Sequence, residues 1–170
     1  MIFGLGTARC GTYNLSVLLK VPHERIWLPW DVNENVLSWN LKSFKRDGGN
    51  VGLSILNYVG LLHDEFPNAH FICLQRDMAL TVRSFVRRLK GRNPWCSEKD
   101  AAGYHYSFPR YENLSVADAA ARYWREYYKR AHDWQIALPD HFRIFTTAYG
   151  LGEGIDDLLG FAGYERTKAA

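Results

Sequence analysis

Residues 2–15 read Ile2-Phe3-Gly4-Leu5-Gly6-Thr7-Ala8-Arg9-Cys10-Gly11-Thr12-Tyr13-Asn14-Leu15, and their order decides the fold. A short apolar run ends in glycine, passes through a loop of small residues with one arginine, and re-emerges as an apolar-periodic segment through Leu15, Val17, Leu18 and Leu19. That order predicts strand, tight loop, helix. Glycines at 6 and 11 let the backbone turn so that several N–H groups converge at a helix N-terminus, which suits a phosphate or sulfate group.

Further along, His70-Phe71-Ile72-Cys73-Leu74-Gln75 is a continuous apolar strand, with Arg76-Asp77 at its C-terminal end. Asp77 is placed to cap a helix whose buried face is expected to be Leu80, Val82, Phe85, Val86 and Leu89, with Arg83, Arg87, Arg88 and Lys90 on the polar face. Between these landmarks, His23 to Leu28 reads as a short strand or extended arm. Pro29-Trp30-Asp31 reads as the turn into a helix through Val36, Leu37, Leu41 and Phe44, with Asp31 its N-cap. Val51 to Ile55 is expected to be a buried strand, and Tyr58 to Phe66 has helical spacing.

Residues 92–113 show no periodicity and are rich in aromatics (Trp95, Tyr104, Tyr106, Phe108, Tyr111), so they are expected to form a lid or a binding loop rather than a disordered stretch. Ser115-x-x-Asp118 then opens a long helix through Val116, Ala120, Tyr123, Tyr127, Ala131, Trp134 and Leu138, read as a plain packing helix. Phe142 to Thr147 is a strand and Ile155 to Phe161 a last helix. Strands alternating with helices predict an α/β fold with a mainly parallel sheet covered on both faces, in one domain over 1–170. In such sheets ligands bind beyond the strand C-termini, where both the glycine loop and Arg76 fall.

The bulk composition narrows the function. A net charge of +3 is too mild to argue for nucleic acid, and no apolar run approaches the roughly 20 residues a membrane span needs, so neither nucleic acid nor a membrane is an expected partner. Three cysteines without paired spacing indicate neither a disulfide framework nor a zinc site, and a cytoplasmic protein without a metal is expected. Cys10, at a helix N-terminus, is a candidate for a lowered pKa, the alternative being that the position asks only for a small residue. The Cys-x5-Arg frame of tyrosine phosphatases is absent, because Ser16 stands where the arginine would be.

The loop resembles a P-loop, but its Gly6-x-x-x-x-Gly11 frame ends in Thr12-Tyr13 where a Walker A motif has Lys-Ser or Lys-Thr. Arg76 and Ser84 offer a guanidinium fork and a hydroxyl for a second anion. The alternative is a surface salt bridge for Arg76 and a solvent-facing Ser84. Together, Gly6 to Thr12 and Phe71 to Asp77 with Ser84 resemble the 5′-phosphosulfate and 3′-phosphate motifs of sulfotransferases that use 3′-phosphoadenosine 5′-phosphosulfate (PAPS). His23-Glu24 with Leu28-Pro29-Trp30, and the closing Leu158 to Gly163, are similar to bacterial-type members.

That resemblance implies a three-layer P-loop NTPase-like fold and transfer of a sulfuryl group from PAPS to a hydroxyl or amine on a small-molecule, carbohydrate or peptide acceptor, releasing adenosine 3′,5′-bisphosphate. It implies that Ala8, Arg9, Cys10, Gly11, Thr12, Tyr13 and Asn14 hold the phosphosulfate and that Arg76 and Ser84 hold the 3′-phosphate. Arg9 would stabilise the leaving phosphate oxygen, and the catalytic base would be Glu24 or, second, His23. Structural roles for both remain the alternative, such as an ion pair of Glu24 with Arg25, and His63 is expected to be structural. Three departures stand out: Tyr13 replaces a second threonine, Met78 replaces a proline after Arg-Asp, and the Arg-Lys-Gly element of cytosolic eukaryotic members is absent. A P-loop nucleotide or small-molecule kinase and a non-catalytic nucleotide-binding protein are the competing classes.

Overall fold

The computed structural model describes residues 1–24, 34–97, 100, 108–147 and 154–164, with the backbone alone at 34–39. Four strands form one sheet: β1 (Ile2–Gly6), β2 (Gly49–Val51), β3 (His70–Arg76) and β4 (Phe142–Thr147). All pairings are parallel and the order is β2-β1-β3-β4. Ile2 stands opposite both Gly49 and His70, and the β1–β3 register runs to Gly6 opposite Leu74. Among the described residues six α-helices accompany the sheet: α1 (Thr12–Leu19), α2 (Glu34–Asp47), α3 (Val59–Glu65), α4 (Met78–Leu89), α5 (Val116–Ala137) and α6 (Ile155–Phe161).

The strand alternation sorts the core into two halves. Phe3, Leu5, Phe71, Cys73 and Phe142 face one way, into a cluster with Phe44 of α2, Leu62 of α3, Phe85 of α4 and Tyr123 and Tyr127 of α5. Ile72 and Leu74 face the other way, onto Leu15 and Leu19 of α1 and Leu158 of α6. The architecture is therefore α/β, a parallel sheet between two helical layers. Both faces are buried at β1 and β3, which is why these two strands read as continuous apolar runs instead of alternating ones. Among the described residues no helix is long and apolar enough to cross a membrane.

Several expectations change. The apolar run 51–55 is not a strand: β2 ends at Val51, and Leu53–Tyr58 winds as a 3-10 helix. Gly52 N–H donates to Gly4 O (2.9 Å), and Ile55 N–H already turns back to Gly52 O (3.4 Å). A fully buried run has no period with which to tell strand from helix. The arm at 23–28 is represented by one parallel bridge between His23 and Val51, made by Glu24 N–H to Val51 O (2.7 Å) and Val51 N–H to Pro22 O (2.8 Å). Residues 25–28 and the Asp31 cap lie outside the described residues. On α4, Val86 is exposed and Thr81 is buried in its place, its hydroxyl satisfied by Asp77 O at 2.8 Å.

The described part of the aromatic stretch after α4, residues 92–97, 100 and 108–113, is a plug more than a lid. Trp95, Phe108 and Tyr111 are buried; Trp95 lies 5.1 Å from both Phe85 and Phe108, and Phe108 meets Tyr123 edge-on at 5.2 Å. Tyr111 N–H to Trp95 O (2.9 Å) and Asn93 Nδ2 to Leu114 O (2.9 Å) tie its two ends together. Tyr104 and Tyr106 lie outside the described residues. A lid residue can be truncated with little loss of stability, whereas a buried ring in a packed core cannot. Trp95→Ala is therefore expected to cost about 3–5 kcal/mol in urea unfolding.

At the amino end of the sheet, His141 lies with its ring 4.9 Å from His63 and 5.9 Å from His70, far from the glycine loop in β-strand register. Burial, and then the neighbouring His141, holds His70 below the ordinary imidazole value of 6.5. The folded state thus binds fewer protons than the unfolded chain, so this contribution is full above about pH 6.5 and declines as pH falls through it. The urea midpoint is expected to drop between pH 7.5 and 5.5, and to drop less in His70→Gln.

Candidate anion-binding site

The site is built where β1 ends. Gly6 has φ +151°, and a Cβ there would stand 2.5 Å from Cys10 Sγ and 2.6 Å from Leu74 O, so only glycine fits. Gly11 (φ +105°) starts α1 from a left-handed conformation, and Arg9 between them is also left-handed at φ +73°. For a non-glycine residue that costs about 1 kcal/mol, strain of the kind that collects at functional loops. Cys10 N–H closes the turn onto Thr7 O at 3.3 Å. Among the described residues no oxygen accepts from the backbone N–H groups of Arg9, Gly11, Tyr13 and Asn14. The loop therefore presents free donors at the positive end of α1.

The second motif comes to the same place. Arg76, the last residue of β3, donates from Nη1 to Arg9 O at 3.0 Å, and Arg9 Nε donates to Ser84 Oγ at 3.1 Å. Neither a salt bridge for Arg76 nor a solvent-facing Ser84 describes them: both residues meet Arg9. Asp77 caps α4 by accepting from Leu80 N–H at 2.9 Å, which orients the helix so that Ser84, two turns on, faces the loop. Two guanidinium groups, a hydroxyl and a row of free N–H groups converge beyond the C-termini of adjacent strands, with no carboxylate paired to either arginine among the described residues.

His23 reaches the loop from the β2 edge. Its Nε2 lies 3.2 Å from Thr12 Oγ1, and its ring meets Tyr13 edge-on at 5.6 Å. Tyr13, which has no evident purpose in the sequence pattern, is 65% exposed and forms an outer wall against that imidazole. Glu24 is left-handed at φ +46°, bonded through its N–H to Val51 O, and its Cγ lies over Gly52. Asn14 is exposed on the first turn of α1, and Ala8 packs against the core on the α5 side.

No protein-family model matches the chain, and no curated protein matches it.

Three supporting residues escape a reading by pattern. Tyr127 and Tyr128 of α5 do more than pack: Gly6 N–H donates to Tyr127 Oη (2.9 Å), Thr7 N–H to Tyr128 Oη (3.4 Å), and Trp124 Nε1 to Arg76 O (2.9 Å). The one available signal is chemical. Hydroxyl-bearing rings stand at 127 and 128 where leucine or phenylalanine would fill a core. On the other side, Thr147 Oγ1 donates to Cys10 O at 3.4 Å, and the β4 edge beyond it lines a cavity of about 230 Å³ with Arg143, Gly154 and Asp157.

Cys10 is a small buried residue, not a low-pKa thiol: it is 4% exposed, and burial pushes its thiol up to about 12, with the neighbouring Tyr128 hydroxyl and Thr12 backbone lowering it only in part. Burial pushes Cys73 up as well. Thiolate is the reactive form, so both are inert at neutral pH. Native protein treated with a disulfide reagent at pH 8 is expected to react at Cys96 alone, and all three cysteines should react in 6–8 M urea (about the concentration for full unfolding), as counted by mass spectrometry.

Proposed function

We propose that the chain is a PAPS-dependent sulfotransferase, with the loop between β1 and α1 acting as a phosphosulfate-binding P-loop and the end of β3 with α4 as the 3′-phosphate site. The observation that carries this reading is the convergence of Arg9, Arg76 and Ser84 beside the unpaired loop N–H groups. One anion position would explain the loop, but not a second arginine and hydroxyl immediately beside it. The residues suit the group: backbone donors and the Thr12 hydroxyl for one anion, a guanidinium fork and Ser84 for the other.

Bound PAPS supplies a sulfuryl group carried on a phosphate leaving group. The chain's part is electrostatic and positional. Arg9, with the N–H groups of Gly11 and Tyr13, neutralises negative charge gathering on the phosphate oxygen as the sulfur–oxygen bond breaks. Arg76 and Ser84 hold the far end of the nucleotide so that the sulfuryl group meets the acceptor in line. The acceptor hydroxyl or amine forms the new bond to sulfur and gives its proton to a base. Between the two candidates, His23 is supported by its contact with Thr12, and Glu24 lies one residue further along the arm.

A kinase would need a lysine and a hydroxyl at the end of the loop, where Thr12-Tyr13 stand. Calorimetric titration is expected to show tighter binding of adenosine 3′,5′-bisphosphate than of ATP with magnesium, and the reverse order would sink the reading. In an acceptor screen with labelled PAPS, Arg9→Ala should lower transfer about 100-fold or more. Loss of the base, tested with His23→Ala and Glu24→Ala, should lower it by a similar factor. Tight binding of PAPS with no transfer to any acceptor would favour a non-catalytic nucleotide-binding protein.

A further inference from the structure

The last paired residues of β1 and β3 are Gly6 and Leu74; beyond them β3 runs on to Arg76, paired only with β4, while the chain from β1 leaves as the loop. Gly6 and Thr7 are buried at this fork, so their N–H groups and the carbonyl of Leu74 need partners that the ladder no longer provides. Helix α5 supplies them. Tyr128 Oη lies 3.4 Å from Thr7 N and 3.2 Å from Thr7 Oγ1, and donates to Leu74 O at 2.6 Å. A phenol has one proton to give, so with Leu74 as its acceptor it takes both contacts from Thr7. The hydroxyl is thus a wedge between the two parting strands, bonded to each.

Its neighbours extend the same function. Tyr127 accepts from Gly6 N–H and donates to Leu53 O at 3.0 Å, fixing the start of the loop to the 3-10 turn below it. One turn toward the helix start, Trp124 donates to Arg76 O. Positions 124, 127 and 128 share one helix face, and their rings pack at 4.7 Å (Trp124–Tyr128) and 5.4 Å (Tyr127–Tyr128). One rigid 22-residue helix therefore holds both the loop and the strand end that carries Arg76.

We propose that Trp124, Tyr127 and Tyr128 are positioning residues that fix the separation between the loop and Arg76, and that this separation makes the site select a nucleotide carrying two anions at a set distance. The selectivity rests on the function proposed above. A ligand with both a 3′- and a 5′-phosphate gains from simultaneous contacts only while the two positions stay in register. A ligand with the 5′-phosphate alone is indifferent to that register.

Tyr128→Phe keeps the ring and removes only the hydroxyl, Trp124→Phe puts a smaller ring without a donor in place of the indole, and Tyr123→Phe, on the aromatic-core side of the same helix, is the control. Binding of adenosine 3′,5′-bisphosphate and of adenosine 5′-monophosphate is measured by calorimetry, with hydrogen exchange of the amides of residues 7–12 followed by mass spectrometry. The expected result is a loss of about tenfold or more in bisphosphate affinity, a change within about threefold for the monophosphate, and faster loop exchange in Tyr128→Phe than in Tyr123→Phe. An unchanged affinity ratio with unchanged loop exchange overturns the proposal. If the wild-type protein shows no preference for the bisphosphate, the sulfotransferase reading and the selectivity fall together. Loop exchange then decides the positioning role alone: faster exchange upholds it and equal exchange ends it.

Discussion

The backbone turn at Gly6 is the constraint on which the rest of the structure depends. A side chain there would run into Leu74 O and Cys10 Sγ, so the loop can press against β3 only because position 6 has no Cβ. That close approach brings Arg9 within reach of residues on the next strand and helix. It also forces small or buried partners around the turn: Thr7 and Cys10 pack where a larger residue would lift the loop off the sheet. The strain of a left-handed Arg9 is held in place by what surrounds it, with Arg76 clamping its carbonyl and Gly11 opening the helix beyond.

The electrostatics follow from that geometry. Arg76 is held by the backbone carbonyl of Arg9 and the Arg9 side chain by Ser84, so two positive charges lie in one neighbourhood without a carboxylate to offset them among the described residues. Like charges repel, more strongly near a protein surface than in bulk water. Ser84 and the carbonyl of Arg9 soften the repulsion as acceptors but carry no formal charge. An anion removes it. An arrangement whose charges repel one another alone would gain from a bound anion, which suits a binding site more than a structural ion pair.

Where the sequence carried a local physical signal, the fold could be read from it. β1 and β3 are apolar runs bounded by turn residues, Asp77 and Ser115 are helix caps, and both caps make the expected hydrogen bonds. The convergence of Arg9, Arg76 and Ser84 was legible as two motifs, though not as a set of contacts. Other features had no local signal. Leu53 to Tyr58 is buried at every position but Asn57, so nothing in its pattern separates a strand from a 3-10 helix. Thr81 displaces Val86 from the buried side of α4 because its hydroxyl is satisfied by Asp77, which removes the cost of burial that pattern reading assumes. Tyr127 and Tyr128 fit an apolar stripe so well that their hydroxyls, the part that matters to the loop, are invisible in the period.

The burial of the aromatic plug changes where an acceptor can approach on the sulfotransferase reading. Trp95, Phe108 and Tyr111, rings of the stretch expected to be a lid or a binding loop, are committed to the core between α4 and α5. The α5 side of the loop is closed by Tyr127 and Tyr128, the β4 side by Thr147 against Cys10, and the α4 side by the Arg9–Ser84 contact. Among the described residues, the flank left open is the one where exposed Tyr13 stands against His23. An acceptor arriving there meets an aromatic wall and an imidazole together, next to the Thr12 hydroxyl. The substitution of tyrosine for a second threonine then has a physical sense: it gives up one small hydroxyl in the cradle and gains a surface for the incoming group.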